Sequence, residues 1–344
     1  MSQALELKTE SKINAIAVYS GAHPAHQRLL ANCCSKNIKM LGEWSAGKQV
    51  SIRIKLRSYL STAMMLRANK ANVIIIEGTL PAALMAPVIK FLNRRPKQVI
   101  ALCADDALYR AFVEASALTR IIIRHGFRSV SGIIAIGDLT AKLAKKHLKP
   151  LPIAVRYPPI PQDKVDKLSP IEPALNSHNL VLIGGGSQYC KGVDIAIKCL
   201  FELRQQFSDA KLTILGFHGI AEQPGIVSPG PVSDISSYLS SSSVLIHPVR
   251  GDAFPLVVAE AMLAGVVPFV SEWTGASSLA KQVSSELVVP LNAEEFAKRI
   301  IAFWTDTPNN RNAMSSKCKQ VAQKFLVDGR NQPSLVKFIE KIRN

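Results

Sequence analysis

The sequence predicts an α/β protein of two domains, each a parallel sheet with helices between its strands, and three observations lead there. Short apolar, β-branched runs alternate with helical patterns, which is the signature of strand–helix–strand units. The alternation comes in two series, and a proline-rich stretch lies between them. At 344 residues the chain also exceeds one ordinary core, since domains run to roughly 150 residues.

The first series has strand-like runs at Ile13 to Tyr19, Val73 to Glu77, Gln98 to Leu102 and Gly132 to Ile136, and a helical pattern from Leu139 to His147. Ser51 to Arg57, with Arg53, Lys55 and Arg57, fits either an edge strand or the start of an amphipathic helix continuing through Leu66. The longest apolar stretch, Val73 to Leu92, contains Glu77, Gly78, Pro81 and Pro87. It reads as a strand buried on both faces followed by a helix, and not as a membrane span.

Tyr157 to Asn179, dense in proline and polar residues, has the composition of an interdomain connection. The second series follows, with strands at Leu180 to Ile183, Leu212 to Leu215, Val244 to His247 and Val267 to Val270. Pro333 to Arg343 has apolar residues near helical spacing and predicts a closing helix. The expected division is 1–170, 176–327 and a closing segment, 328–344. No fixed-period repeat appears, which excludes a solenoid.

Apolar residues make up 48% and charged residues 19%, a globular balance. Net charge is +17 and unevenly placed: residues 1–175 hold 26 Lys and Arg against 11 Asp and Glu, while the remainder is nearly neutral. A basic excess confined to one domain points to a polyanionic partner for it, an anionic membrane surface or nucleic acid, the alternative being charge that serves solubility alone. No recognition helix or aromatic stacking motif supports nucleic acid. Six cysteines, Cys33, Cys34, Cys103, Cys190, Cys199 and Cys318, lack CxxC spacing and fit a reducing cytoplasm. The polar start, MSQALELKTESK, has no apolar core of a secretory signal.

The most informative segment is HPVRGDAFPLVVAEAMLAGVVPFVSEWTG, His247 to Gly275. It combines a strand end, a loop holding Asp252, and a helix starting near Leu256 with Glu260 eight residues after Asp252. Its pattern resembles the retaining GT-B glycosyltransferases of the glycogen-synthase-like branch (glycosyl transferases group 1, family 4-like), in which an acid, Gly-Phe-Pro/Gly-Leu and Glu-Ala-Met-Ala-x-Gly-x-Pro occur in order. The likeness extends through LVLIGGGSQYCKGVDIAIKCL and DAKLTILGF before that segment and through WTGASSLAKQ and LVVPLNAEEFAKRI after it, covering about Asn179 to Phe325. The resemblance implies a GT-B architecture, two Rossmann-like domains facing a cleft, with the nucleotide-sugar donor on the C-terminal domain.

A helix beginning near Phe254, Pro255 and Leu256 aims unpaired backbone N–H groups and a partial positive charge at whatever binds there, which suits a diphosphate. Glu260, an acceptor-only carboxylate, suits paired ribose hydroxyls, as the family's second acid does. The resemblance assigns Asp252 to the donor-sugar hydroxyls, with Asp where the family usually has Glu, and so shortens the reach by one methylene. It also matches Lys191 to the family lysine that neutralises the leaving diphosphate.

The arginine that the family places after the preceding strand is replaced by Gly184, Gly185 and Gly186. Gly185 and Gly186 let the backbone approach a ligand, and Arg250 in the neighbouring loop is the other candidate cation. The alternative is impaired or lost catalysis, in a non-catalytic domain that binds sugar nucleotide or glycan as a subunit or regulator. On the acceptor side, Gly21 and His23 follow the first strand where a glycine-rich loop is expected, but ALCADD offers Asp105 and Asp106 where relatives often have histidine.

Asp105 and Asp106 lack the chain context of the metal motif of the other sugar-nucleotide fold, so no metal site is expected. His247, alone at a strand end, reads as a hydrogen-bonded structural residue more readily than as a ligand contact. No cofactor is expected beyond a UDP- or GDP-sugar co-substrate. The expected partners are that donor, a lipid-linked or glycan acceptor, and an anionic surface at the cytoplasmic membrane face.

Overall fold

The computed structural model describes residues 13–20, 24–31, 34–39, 51–67, 69–92, 97–114, 116–330 and 334–343. The chain divides into two compact units, one of Met1–Ile136, Thr140–Pro158 and Gln332–Asn344, the other of Gly137–Leu139 and Pro159–Asn331.

Up to the unit boundary the elements are β1 (Ile13–Tyr19), α1 (Pro24–Leu30), β2 (Cys34–Lys39), α2 (Ile52–Arg67), β3 (Val73–Glu77), α3 (Thr79–Leu92), β4 (Gln98–Cys103), α4 (Ala107–Phe112), α5 (Ala117–Gly126), β5 (Gly132–Ile136), α6 (Asp138–His147) and β6 (Ile153–Arg156). The first sheet runs β2-β1-β3-β4-β5-β6, all parallel. Its central strands β3, β4 and β5 are apolar apart from Glu77 at the end of β3 and Gln98 at the start of β4, because helices cover both faces, and every residue of β3 and of β5 is buried. Ile52 to Arg57 are the first residues of α2, which settles the open choice between strand and helix. Val73 to Leu92 forms β3 and α3 as read from the sequence, and no helix among the described residues is long and apolar enough to cross a membrane.

Two glycines permit close packing in this unit. A Cβ on Gly126 would lie 2.0 Å from the Ala83 carbonyl oxygen, so α5 crosses α3 at that point with no side chain between them. A Cβ on Gly132 would lie 2.2 Å from Ile342 Cδ1. That side chain belongs to the helix α14 (Leu335–Arg343), which closes this unit with buried Leu335, Val336, Ile339 and Ile342.

The second unit holds α7 (Gln162–Leu168), β7 (Asn179–Ile183), α8 (Val193–Arg204), β8 (Lys211–Leu215), β9 (Ile226–Gly230), α9 (Ser236–Ser240), β10 (Val244–His247), α10 (Leu256–Leu263), β11 (Val267–Ser271), α11 (Ser277–Val283), β12 (Val288–Val289), α12 (Ala293–Thr305) and α13 (Pro308–Arg330). The last element of the chain is α14 (Leu335–Arg343). The proline-rich connection is therefore not wholly irregular: Pro161 caps α7, whose seven residues contain no proline. The second sheet runs β12-β11-β10-β7-β8-β9, also parallel.

In this sheet the strand order reverses between β7 and β10, because β8 and β9 extend to one side and β10 to β12 to the other. The loops leaving the carboxyl ends of β7 and β10 therefore diverge to opposite faces, and ligands of open α/β sheets bind at such a point. The first sheet has its own reversal between β1 and β3.

Buried thiols are packing groups here. Burial pushes Cys103 and Cys318 up to about 12 and Cys199 upward as well, so these sulfurs stay protonated and unreactive.

Candidate functional site

The two loops at the β7/β10 reversal carry most of the residues singled out from the sequence. After β7 the chain runs through exposed Gly185 and Gly186, and then makes a tight turn in which Lys191 N–H donates to the Ser187 carbonyl at 3.1 Å. Lys191 Nζ donates to Asp252 Oδ2 in the loop after β10. Both side chains are mostly buried, at 25% and 14% exposure. The backbone holds Asp252 in place: its N–H donates to Trp273 carbonyl at 3.1 Å, and its own carbonyl accepts from Gly275 N–H at 2.9 Å. Gly275 is required for that approach, since a Cβ there would lie 1.7 Å from the Ala253 carbonyl oxygen.

Downstream, Phe254 is buried and stacks on Phe325 of α13 at 5.4 Å between centroids, which fixes where α10 begins. Pro255 is the N-cap residue and Leu256 the first helical residue. The opening N–H groups of α10 have no intrahelical acceptor and present a concentrated positive end. Glu260 sits one turn further on with 3% of its side chain exposed, and Lys164 Nζ of α7 donates to its Oε1 at 2.7 Å. The carboxylate expected to meet ribose hydroxyls is thus already ionically paired.

Arg250 is held by a different set of contacts. Its guanidinium donates in bidentate fashion to Asp194 of α8, 2.8 Å on each arm, lies 3.9 Å over the Tyr189 ring, and donates to the Tyr189 carbonyl at 2.5 Å. The arginine holds Asp194 below the usual carboxylate range. In this state it clamps the β10–α10 loop to the start of α8. Gly185 and Gly186 have open space where a Cβ would stand, and Gly186 is at φ +78°, so the backbone can approach a ligand there as expected.

Gly21 and His23 lie outside the described residues. At the reversal of the first sheet stands a cluster that sequence reasoning missed: Ser20 N–H donates to Glu77 Oε2 at 2.9 Å, and His26 Nδ1 lies 2.6 Å from Glu77 Oε1. Glu77 had registered only as an interruption of an apolar run, and no local spacing ties it to His26. Lys164 was missed for the same reason, because its partner is 96 residues away. Asp105 accepts from Thr79 N–H at 2.8 Å and Thr79 Oγ1 at 2.6 Å, which caps the start of α3.

His247, at the end of β10, differs from its sequence reading. It is buried, and its Nε2 has no hydrogen-bond partner among the described residues; Asp252 Oδ2 stands 4.0 Å away. Burial pushes its pKa down to about 4, with Asp252 acting upward and Lys191 downward. The unfolded chain takes up this proton near pH 6.5 and the folded chain only near 4, so the neutral imidazole contributes stability that is fully present above about pH 6.5 and lost as pH falls toward 4. The loss reaches at most about 3 kcal/mol. Urea unfolding of wild type and His247→Asn above pH 7 and near pH 4 checks this. Wild type is expected to lose much more stability on acidification than the variant, and equal losses contradict the assignment.

Two parallel α/β units, the second with a site at its strand reversal, make the GT-B fold, and residues 177–306 match the family described as glycosyl transferases group 1. Solved structures place the fold among glycosyltransferases. HepE from Anabaena, in complex with UDP and glucose, aligns with a TM-score of 0.71 at 13% identity over 95% of this chain and 99% of that one. Sucrose-phosphate synthase from Thermosynechococcus elongatus gives 0.67 at 14%, covering 91% and 94%. WaaG, a glycosyltransferase involved in lipopolysaccharide biosynthesis, gives 0.64 at 16%, covering 90% and 95%. No curated protein sequence gives a significant match.

Proposed function

We propose that the chain is a glycosyltransferase that moves a sugar from a UDP- or GDP-sugar to an acceptor hydroxyl with retention of configuration. The observation that carries the reading is the Lys191–Asp252 pair beside the start of α10, inside the segment that matches a glycosyltransferase family. A similar fold holding UDP and glucose supports a nucleoside diphosphate sugar as the ligand.

The pair acts as an exchangeable contact. An incoming diphosphate draws Lys191 away from Asp252 and adds the N–H groups of α10 as donors. Asp252, released, accepts from donor-sugar hydroxyls, while the neutral His247 ring stands 4.0 Å behind it as a replacement partner. Glu260 exchanges Lys164 for ribose hydroxyls, or shares its second oxygen with them. The bond from the anomeric carbon to the diphosphate oxygen breaks with its electron pair leaving on the diphosphate. The acceptor oxygen bonds to that carbon on the same face, and its proton passes to the departing oxygen. No protein nucleophile enters this scheme. Lys191 and the helix start carry the charge stabilisation, so the reaction needs no metal and proceeds in EDTA.

The first unit supplies the acceptor side, with Glu77, His26 and Ser20 at its strand reversal. Its basic excess supports a lipid-linked or glycan acceptor at the cytoplasmic membrane face. One observation favours a second reading, a non-catalytic subunit that binds sugar nucleotide: Gly184 to Gly186 stand in place of an arginine, and Arg250 is engaged with Asp194. Incubation of the chain with UDP- and GDP-sugars and polyprenyl phosphate or glycan acceptors separates the two. Release of nucleoside diphosphate in EDTA, with the product anomer matching the donor, is expected. Tight binding without release favours the second reading.

A further inference from the structure

Helix α2 packs Tyr59, Ala63 and Leu66 inward and still carries apolar residues on its outer side. It buries Ser58 and Thr62, the latter at 0% exposure and with its hydroxyl unpartnered among the described residues. It exposes Leu56, Leu60 at 51% and Met64 at 56%, which follow one another at four-residue spacing and so form one stripe along the helix. Arg53, Arg57 and Arg67 are exposed and fall on the same side at helical spacing.

The stripe is not isolated. The connections β2 to β3, β3 to β4 and β4 to β5 all step the same way along the first sheet, so with right-handed crossovers α2, α3 and α5 share one face, and α3 packs against both neighbours. Helix α3 exposes Phe91 at 89%, and α5 exposes Leu118 at 70% together with Ile121. The three helices carry Arg and Lys residues and not one Asp or Glu.

We propose that the α2–α3–α5 face of the first unit docks on an anionic phospholipid bilayer, with the Leu, Met and Phe tips entering the headgroup boundary and the arginines held among lipid phosphates. An apolar face on a protein interior or a protein partner has no need of so many cations without a single acid. A nucleic acid has no use for protruding Leu and Met. An anionic bilayer interface takes both, since aliphatic tips reach its acyl boundary and guanidinium groups stay at the charged surface. The surface names the partner for the membrane-facing part of the proposed function, and rests on that part alone.

The test is flotation of the full chain with vesicles of phosphatidylcholine alone or mixed with phosphatidylglycerol. Wild type is expected to float only with the mixed vesicles. Arg53→Gln/Arg57→Gln is expected to lower the partition roughly 30-fold, at about a factor of five per cation. Leu60→Gln/Met64→Gln is expected to lower it at least about 10-fold, and Phe201→Gln on α8, an exposed apolar residue of the second unit, leaves it unchanged. Unaltered melting temperatures exclude misfolding of the variants.

Double variants that float like wild type, or wild type that partitions equally onto both vesicles or onto neither, overturn the proposal. So does a chain that self-associates in solution and is made monomeric by Leu60→Gln/Met64→Gln. UDP titration of the same samples keeps the two readings apart: retained UDP binding with failed flotation removes only the docking face, and the converse removes only the donor site.

Discussion

Lys191→Ala is expected to lower kcat about 100- to 1,000-fold, the range found when a single preorganised donor to developing negative charge is removed. The lysine is already directed at a carboxylate, Asp252, and in the proposed reaction a diphosphate takes that carboxylate's place. Charge on the diphosphate grows as the glycosidic bond breaks, so the interaction strengthens on the way to the transition state and its loss falls on kcat as well as on kcat/KM. Steady-state rates of nucleoside diphosphate release check this. Lys191→Arg keeps the charge and is expected to recover part of the rate. Because Asp252 is only 14% exposed, removing its partner also destabilises the fold, and Lys191→Met/Asp252→Asn is expected to melt above Lys191→Met alone. A Lys191→Ala enzyme within a few-fold of wild type contradicts the role.

Gly192→Ala is expected to cost about 4 kcal/mol of stability. Gly192 caps α8 at φ +67°, a conformation that costs a residue with a Cβ about 1–2 kcal/mol. The added methyl also meets the Pro248 carbonyl oxygen at 1.9 Å, and overpacking against backbone adds roughly 1–3 kcal/mol. The strain falls between the Lys191 turn and the segment leaving β10, so the Lys191 and Asp252 loops are pushed apart. Chemical unfolding measures the cost. Gly185→Ala on the same loop, with open space around its Cβ, is expected to stay near wild type. Equal stability of the two variants contradicts the packing described.

The sequence revealed the strands that are covered on both sides by neighbours. β1, β3, β4 and β5 of the first sheet, and β7, β8, β10 and β11 of the second, stand out as Val- and Ile-rich runs. Among the described residues, the strands that the sequence reading left unassigned are β2, β6, β9 and β12, each short or broken by polar residues, proline or glycine, and each is an edge strand. An edge strand is covered less, so CSKNIK in β2 and IVSPG in β9 can carry lysine, proline and glycine. Position in the sheet thus decided which strands could be read.

The site divides in the same way. Lys191, Asp252, Phe254 to Leu256 and Glu260 fall in local motifs of strand end, loop and helix start, and the structure brings Lys191 and Asp252 into contact. Partners fixed only by tertiary packing left no trace in the chain: Lys164 under Glu260, Asp194 on Arg250, and His26 on Glu77. Helix α2 shows the limit from the other side. Its start fitted a strand or a helix equally, and which face would be buried was not legible, because Ser58 and Thr62 went inward beside Tyr59, Ala63 and Leu66 while Leu60 and Met64 went outward.

Calorimetric titration of the purified chain with UDP and GDP in EDTA, beside Lys191→Ala and Glu260→Ala, decides whether a nucleoside diphosphate binds at Lys191 and the start of α10. Wild type is expected to bind one nucleotide saturably, and both variants to lose that binding while they remain folded. A folded wild-type chain that binds neither nucleotide, or variants that bind as wild type does, contradicts a donor site at Lys191 and the start of α10.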